Sequence, residues 1–384
     1  MTQIVFWQSM ISPHQAGLVQ ALASKPDMDV HYVAAETIEP QRAAMGWVQP
    51  DLGDARLHLA QTKAEITALA GSFSTDALHL CQGFRGNGVI ANALPALAHH
   101  GARIGVMMEA VDQRGGKAWL KQLVYRHQVQ RYRDAVTFCL AIGRNTKLFL
   151  EQCGFPGARI YPFSYFLTPQ PPTSPAAGHE RRLIYVGKLV QLKRVDLLIE
   201  AFGVLNPPRT KLSLIGSGPL EKNLKALAAA QPNADAIEWL GTLPNHDAQA
   251  LIASSDGLIL PSEYDGWGAV VSEALLAGTP AICSSACGAA EAVEASGAGG
   301  VFASGEALSL MQKLLALLAA DRWTHAQRAK LRAWAQASLS DEAGAAYLEA
   351  VWAAQNRSAP HPDALWLSPQ VAEKPQKIKT FVTG

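Results

Sequence analysis

No stretch of this chain approaches the roughly eighteen consecutive apolar residues that a membrane-crossing helix needs. Cysteine is scarce: Cys81, Cys139, Cys153, Cys283 and Cys287 are odd in number and lack Cys-x-x-Cys spacing. That argues against a disulfide framework and fits a reduced, cytoplasmic chain. Cys283 and Cys287 have no histidine or second pair beside them to complete a metal site. Net charge is only +1, so no global field draws nucleic acid, and an anionic partner has to be held by local groups. No Gly-x-Gly-x-x-Gly follows the first apolar run, which sets aside an ordinary dehydrogenase. Residues 1–7 lack a basic segment with a long apolar stretch and read as a first strand, not a leader.

What is present is alternation. The 384 residues exceed what one core usually supports, and 49% of them are hydrophobic, enough to fill two. Short apolar runs at 4–8, 30–34, 57–60, 77–81, 103–108, 135–141 and 159–162 predict strands, separated by helical patterns such as 14–24, 63–70, 89–99 and 117–133. Four prolines between 168 and 175 interrupt this texture and predict a linker over 168–181. A second alternation follows, with strands at 183–186, 211–215, 237–240, 257–260, 281–284 and 300–303. The reading is two α/β, Rossmann-like doubly wound domains, 1–167 and 182–357, facing each other across a cleft, with a tail over 358–384 that packs back on the first.

Residues 261–274, Pro-Ser-Glu-Tyr-Asp-Gly-Trp-Gly-Ala-Val-Val-Ser-Glu-Ala, are the most informative stretch. They leave an apolar strand and enter an apolar helix. Gly266 and Gly268 flank Trp267 where the helix begins, so backbone can approach a ligand and free N–H groups can hold a phosphate. Asp265 stands in the loop and Glu273 eight residues later in the helix. Upstream, Gly187-Lys188 and Lys193 follow another strand, two cations suited to a diphosphate. Gly216-Ser217-Gly218 and Trp239-Leu240-Gly241 read as further turns at strand ends.

Over about 182–293 this series resembles the retaining GT-B glycosyltransferases of the group 1 type, with their carboxylate-x7-Glu signature. The resemblance implies that Asp265 contacts the donor sugar and Glu273 the ribose. It implies that Lys188 and Lys193 hold the diphosphate, that Gly187, Gly216, Gly266, Trp267 and Gly268 line the donor pocket, and that the backbone near Leu240 lies by the base. Three departures stand out. The first carboxylate is Asp where the family has Glu, Lys188 replaces Arg, and Gln8-Ser9-Met10 replaces a Gly-Gly loop after the first strand. No Asp-x-Asp metal site is evident beside these motifs, so neither a metal nor another cofactor is expected.

The first half carries the acceptor side of this reading. Ser12-Pro13 starts a helix and sets His14 at its positive end, either as a neutral imidazole that handles a proton or binds the acceptor, or as a simple histidine of the capping region. Glu109 ends a buried strand and points at the same edge, to orient or deprotonate the acceptor hydroxyl, with Arg114 as an alternative ion-pair partner. His79 reads as a satisfied core residue. Residues 117–133 hold five Lys or Arg and no acid among aromatic and aliphatic side chains. They predict either a half-solvated helix or peripheral contact with the inner face of an anionic membrane.

The function expected is retaining transfer of a sugar from a UDP- or GDP-sugar to a glycan or lipid-linked glycan hydroxyl in surface polysaccharide or glycolipid synthesis. By the resemblance, the acceptor attacks on the leaving-group face and the departing phosphate takes its proton. The alternatives are a non-catalytic partner subunit that binds nucleotide-sugar or glycan, and a nucleotide-sugar epimerase on the same fold.

Overall fold

The computed structural model describes residues 1–37, 49–85, 88–116, 118–171, 180–355 and 360–367. They divide into two compact units: Met1–Thr168 together with Asp341–Leu365, and Pro169–Ser340, which also takes Trp366.

The strands of the first unit are β1 (Thr2–Trp7), β2 (Met28–Ala34), β3 (Arg56–Leu59), β4 (Leu78–Gln82), β5 (Arg103–Glu109), β6 (Val136–Ile142) and β7 (Ile160–Phe163). They form one sheet in the order β3-β2-β1-β4-β5-β6-β7, with every pair parallel. A parallel sheet is covered on both faces, so its strands read as continuous apolar runs: Ile4, Val5, Phe6 and Trp7 are all buried. The helices between them are α1 (Pro13–Ala23), α2 (Lys63–Ser72), α3 (Gly88–His99), α4 (Ala118–Tyr132) and α5 (Arg144–Gln152). Pro13 takes the first position of α1 after Ser12. Thr62 and Glu65 close a capping box on α2.

The second unit repeats the scheme with β8 (Arg181–Val186), β9 (Thr210–Ile215), β10 (Ile237–Gly241), β11 (Gly257–Leu260), β12 (Ala281–Ser284) and β13 (Gly299–Phe302). Their order is β10-β9-β8-β11-β12-β13, again parallel. Its helices are α6 (Val195–Leu205), α7 (Glu221–Ala229), α8 (Asn245–Ala253), α9 (Ala269–Leu276), α10 (Ala290–Ser296), α11 (Ala307–Ala319) and α12 (His325–Leu339). In both sheets the order reverses once, between β1 and β4 and between β8 and β11. Ligands of doubly wound sheets bind at the carboxyl ends flanking such a switch point.

One boundary differs from the sequence reading, which runs the second domain to 357. The last helix, α13 (Asp341–Gln355), belongs to the first unit. Its buried face of Tyr347, Leu348 and Val351 meets the rings of Phe163 and Phe166 through Tyr347. Glu349 pairs with Lys25 at 2.7 Å, just beyond α1. At its start, Asp341 N donates to Leu167 O at 3.3 Å, and Thr168 Oγ1 donates to Asp341 Oδ2 at 2.6 Å. In the expected tail, His361 stacks on Tyr161 with centroids 4.0 Å apart, and Trp366 lies 5.3 Å from Trp267. Residues 358–359 and 368–384 of that tail, and 172–179 of the expected linker, lie outside the described residues. Among the described residues no helix is long and apolar enough to cross a membrane, and the five cysteines are free and buried.

Candidate active site

At the β8/β11 switch the loops that leave neighbouring strands are stitched together by backbone. Gly187 N donates to Ile215 O, Leu189 N to Ser217 O and Gly216 N to Gly241 O, at 3.0, 2.9 and 2.7 Å. A Cβ on Gly216 would stand 1.9 Å from the Gly187 carbonyl oxygen, and its φ of +133° is open to glycine alone. Leu240, at the end of β10, is carried to the same edge. Tyr185, buried inside β8, donates its hydroxyl to Lys188 O at 2.9 Å, and burial raises its pKa.

Lys193 closes a 3-10 turn, Gln191–Lys193, after this loop. Its Nζ lies 2.5 Å from Asp265 Oδ2, with both side chains largely buried. Lys188 is exposed and forms no ion pair among the described residues. Arg194, which follows Lys193, sits in the left-handed region at φ +48°. That conformation costs about 1–2 kcal/mol for a residue with a side chain. It is held by an ion pair to Glu263 at 2.6 Å and by two contacts to Asp196. Glu263 N also donates to Leu192 O. The 191–194 segment and the 263–265 loop are thus fastened three times, through two pairs of side chains and one pair of backbone groups.

The Asp265–Gly268 loop is anchored from below. Trp267 is completely buried, and its indole donates to Ser272 Oγ at 2.9 Å. Its carbonyl accepts from Cys287 Sγ at 2.9 Å and from Ala289 N. The Trp267 ring is therefore core, and the residue meets the loop through its backbone. Gly268 and Gly288 have a corresponding task. A Cβ on Gly268 would meet Cys287 Sγ and Leu260 at 2.8 Å, and a Cβ on Gly288 would strike Gly266 O at 1.9 Å. The glycines admit the neighbouring loop of the protein itself. Glu273, half-buried on α9, accepts from Gln249 of α8 at 3.3 Å. Desolvation raises its pKa, opposed by hydrogen bonds from Gln249 and Asn245.

The first unit presents a cavity of about 280 Å³ at its own switch point, lined from β1, β4, β5 and β6 by Ser9, Gln82, Glu109 and Ile142, with Arg85, Gln15 and Tyr165. Tyr165 Oη donates to Glu109 Oε1 at 2.7 Å, and His14 stacks on Tyr165 with centroids 5.2 Å apart. The structure therefore brings Glu109 and His14 together through a tyrosine that sequence reasoning did not single out. Gln15 is nearly fully buried, yet among the described residues its Oε1 has no partner, and neither amide atom of the buried Gln8 has one. Arg114 grips Asp112 through Nε and Nη2. His79 is a core residue: Trp7 Nε1 donates to its Nδ1 at 3.0 Å, and burial lowers its pKa to about 4.

Residues 169–336 match the family described as Glycosyl transferases group 1. A glycosyltransferase of Methanocaldococcus jannaschii is 31% identical over 116 residues, 30% of this chain and 30% of that one. The Escherichia coli putative colanic acid biosynthesis glycosyltransferase WcaL is 28% identical over 162 residues, 40% and 39% of the two chains. The matched region thus spans well under half the length of these relatives. Among solved structures, Anabaena HepE in complex with UDP superposes with a TM-score of 0.69 at 13% identity, over 92% of this chain and 100% of that one. The lipopolysaccharide outer core galactosyltransferase WaaB gives 0.66 at 14% identity over the same shares. At these identities the likeness shows the fold, which is GT-B.

Proposed function

We infer that this chain, whose residues 169–336 belong to the glycosyl transferases group 1 family, moves a sugar from a UDP- or GDP-sugar to a hydroxyl of a glycan or lipid-linked glycan. The transfer retains the anomeric configuration and needs no divalent metal. The observation that carries this reading is the meeting of Lys193 and Asp265 at the β8/β11 switch, 2.5 Å apart, with Glu273 on the helix that follows.

The pair gives the donor a route in. An arriving diphosphate competes with Asp265 for Lys193 and, once it holds the cation, releases the Asp265 carboxylate to accept from a sugar hydroxyl. Lys188 and Lys193 then face the oxygens on which negative charge grows as the glycosidic bond breaks, supported by the unfilled N–H groups that start α9. Glu273, steadied by Gln249, receives the ribose hydroxyls. In the first unit the acceptor takes up the open hydrogen-bonding capacity of Gln15, and Glu109 orients its hydroxyl from a position fixed by Tyr165 and His14. The acceptor attacks from the leaving-group side, and the departing phosphate takes its proton. The HepE structure with UDP and the relatives' polysaccharide roles support the donor and acceptor classes.

The test is a thermal-shift panel of nucleoside diphosphates and nucleotide-sugars on wild type and Asp265→Asn, with NMR of the product anomer. A ligand that binds the native state raises the melting temperature. Asp265→Asn, with its internal competitor neutralised, should bind the bare diphosphate more tightly while transfer falls at least about tenfold. If no diphosphate stabilises the wild type, or if the variant binds it more weakly, the reading fails.

A further inference from the structure

Exposed apolar side chains are concentrated in one place. Of the twelve large ones that stand exposed among the described residues, five lie on two neighbouring helices: Trp119, Leu120, Leu123 and Val124 on α4, and Leu148 on α5. Trp119 is 59% exposed, Leu123 52% and Leu148 57%. The helices are joined by Tyr125 against Phe149 and by Gln122 to Gln152. Val129 and Tyr132 are the buried residues of α4. The apolar side chains fall on its other side, in its first two turns, where a soluble helix ordinarily shows polar groups.

Charge selects what covers this face. From Ala118 to Tyr132, α4 has Lys121, Arg126 and Arg131 and no acid, and α5 adds an exposed Lys147. None of these four forms an ion pair among the described residues; Lys121 Nζ reaches only the Asp112 carbonyl, and Arg131 lies over the Tyr132 ring. The acids nearby are Asp112, gripped by Arg114, Asp134, paired with Arg133, and Glu151. A second copy laid on this face would oppose like charges. A bilayer with anionic headgroups offers an apolar layer for the aliphatic side chains, an interface that suits tryptophan and a negative surface for the cations.

We propose that the α4–α5 surface docks this protein on an anionic lipid bilayer, with Trp119, Leu120, Leu123 and Val124 inserted and Lys121, Arg126, Arg131 and Lys147 on the headgroups. The docking stands apart from the transfer reaction. Where the two meet is Tyr125, which lines the Glu109 cavity from the same helix, so a membrane-borne acceptor reaches that cavity across α4.

The experiment is co-sedimentation of the full chain with vesicles of phosphatidylcholine alone and of phosphatidylcholine with phosphatidylglycerol, at low and raised salt. The wild type is expected to follow the phosphatidylglycerol vesicles and to be released by salt. Leu120→Glu/Leu123→Glu should weaken the association more than about tenfold. Arg126→Glu and Arg131→Glu should each weaken it at least about fivefold, the equivalent of one headgroup charge contact. These side chains are exposed, so melting temperatures should not move; if the leucine pair lowers them, Trp119→Ala and the charge variants carry the test. No sedimentation of the wild type with phosphatidylglycerol vesicles overturns the proposal. So does equal sedimentation of the variants, or a dimer in analytical ultracentrifugation that the leucine variant abolishes without lipid.

Discussion

The two switch points are built from different materials. At β8/β11 the loops rest on one another through backbone: Gly216 under the Gly187 carbonyl, Gly288 under Gly266, and the Trp267 carbonyl gripped from two sides. At β1/β4 the walls come from the ends of four strands, and the buried Gln15 Oε1 there has no partner among the described residues. The first arrangement leaves little freedom to the chain and suits a ligand part that never varies, a pyrophosphate and ribose. The second leaves hydrogen-bonding capacity to be matched by whatever ring enters, which suits the part of a reaction that differs between enzymes.

That contrast can be broken most forcefully at a glycine. Gly216→Ala forces a Cβ into a carbonyl at 1.9 Å in a positive-φ position, and should destabilise the protein by about 3 kcal/mol or more. Gly88→Ala, with nothing within 4 Å of its Cβ among the described residues, should stay within about 0.5 kcal/mol. Urea unfolding of both measures the difference, and equal values would mean the second unit is no more tightly specified than the first. Next in size, Lys193→Ala should lower transfer about a hundred- to a thousandfold in a folded protein, read as kcat and as diphosphate affinity in one preparation. Unchanged turnover removes the lysine from the donor site.

A third test separates the units by pH. Asp341, at the start of α13, is raised from 3.8 to about 6, chiefly by burial and then by its neighbour Glu342. Its protonated form is favoured in the folded state. The stability it contributes is complete below about pH 4 and is lost as pH rises through about 6. Asp341→Asn should therefore gain about 1–2 kcal/mol over wild type at pH 7 and show no gain at pH 4. The smallest expected effect is Tyr165→Phe, which removes the hydroxyl that donates to Glu109. It should raise the acceptor KM about three- to tenfold, the worth of one hydrogen bond, and leave diphosphate binding alone. A shift in the donor constants would show that the two sites are not independent.

The same contrast explains what could be read in advance. The strands were legible as apolar runs because most of them are parallel and buried on both faces, the exposed edge strand β3 being the weakest such signal. The donor loops were legible because backbone stitching needs glycine at fixed places and the carboxylates keep a fixed spacing. What those glycines touch was not legible: spacing cannot tell a ligand from the 286–289 loop, nor show that the Trp267 ring is core. Arg194 and Tyr165 escaped notice because an arginine at positive φ and a tyrosine two residues after β7 have no local signature. Helices α5 and α10 were missed because they are short, nine and seven residues. The transfer of α13 to the first unit was hidden because periodicity reports that a helix has an apolar face and not which sheet receives it.

The return of α13 also decides how this protein can be recombined. The chain leaves the first unit after Thr168 and rejoins it at Asp341, and these two residues are hydrogen-bonded to each other. The second unit is therefore a cassette spliced into an interrupted first unit. Chimaeras that exchange it with a relative have matched cut sites at 168/169 and 340/341. A chain stopped at the first cut would strand Lys25 without Glu349 and bare the aromatic rings that Tyr347 covers.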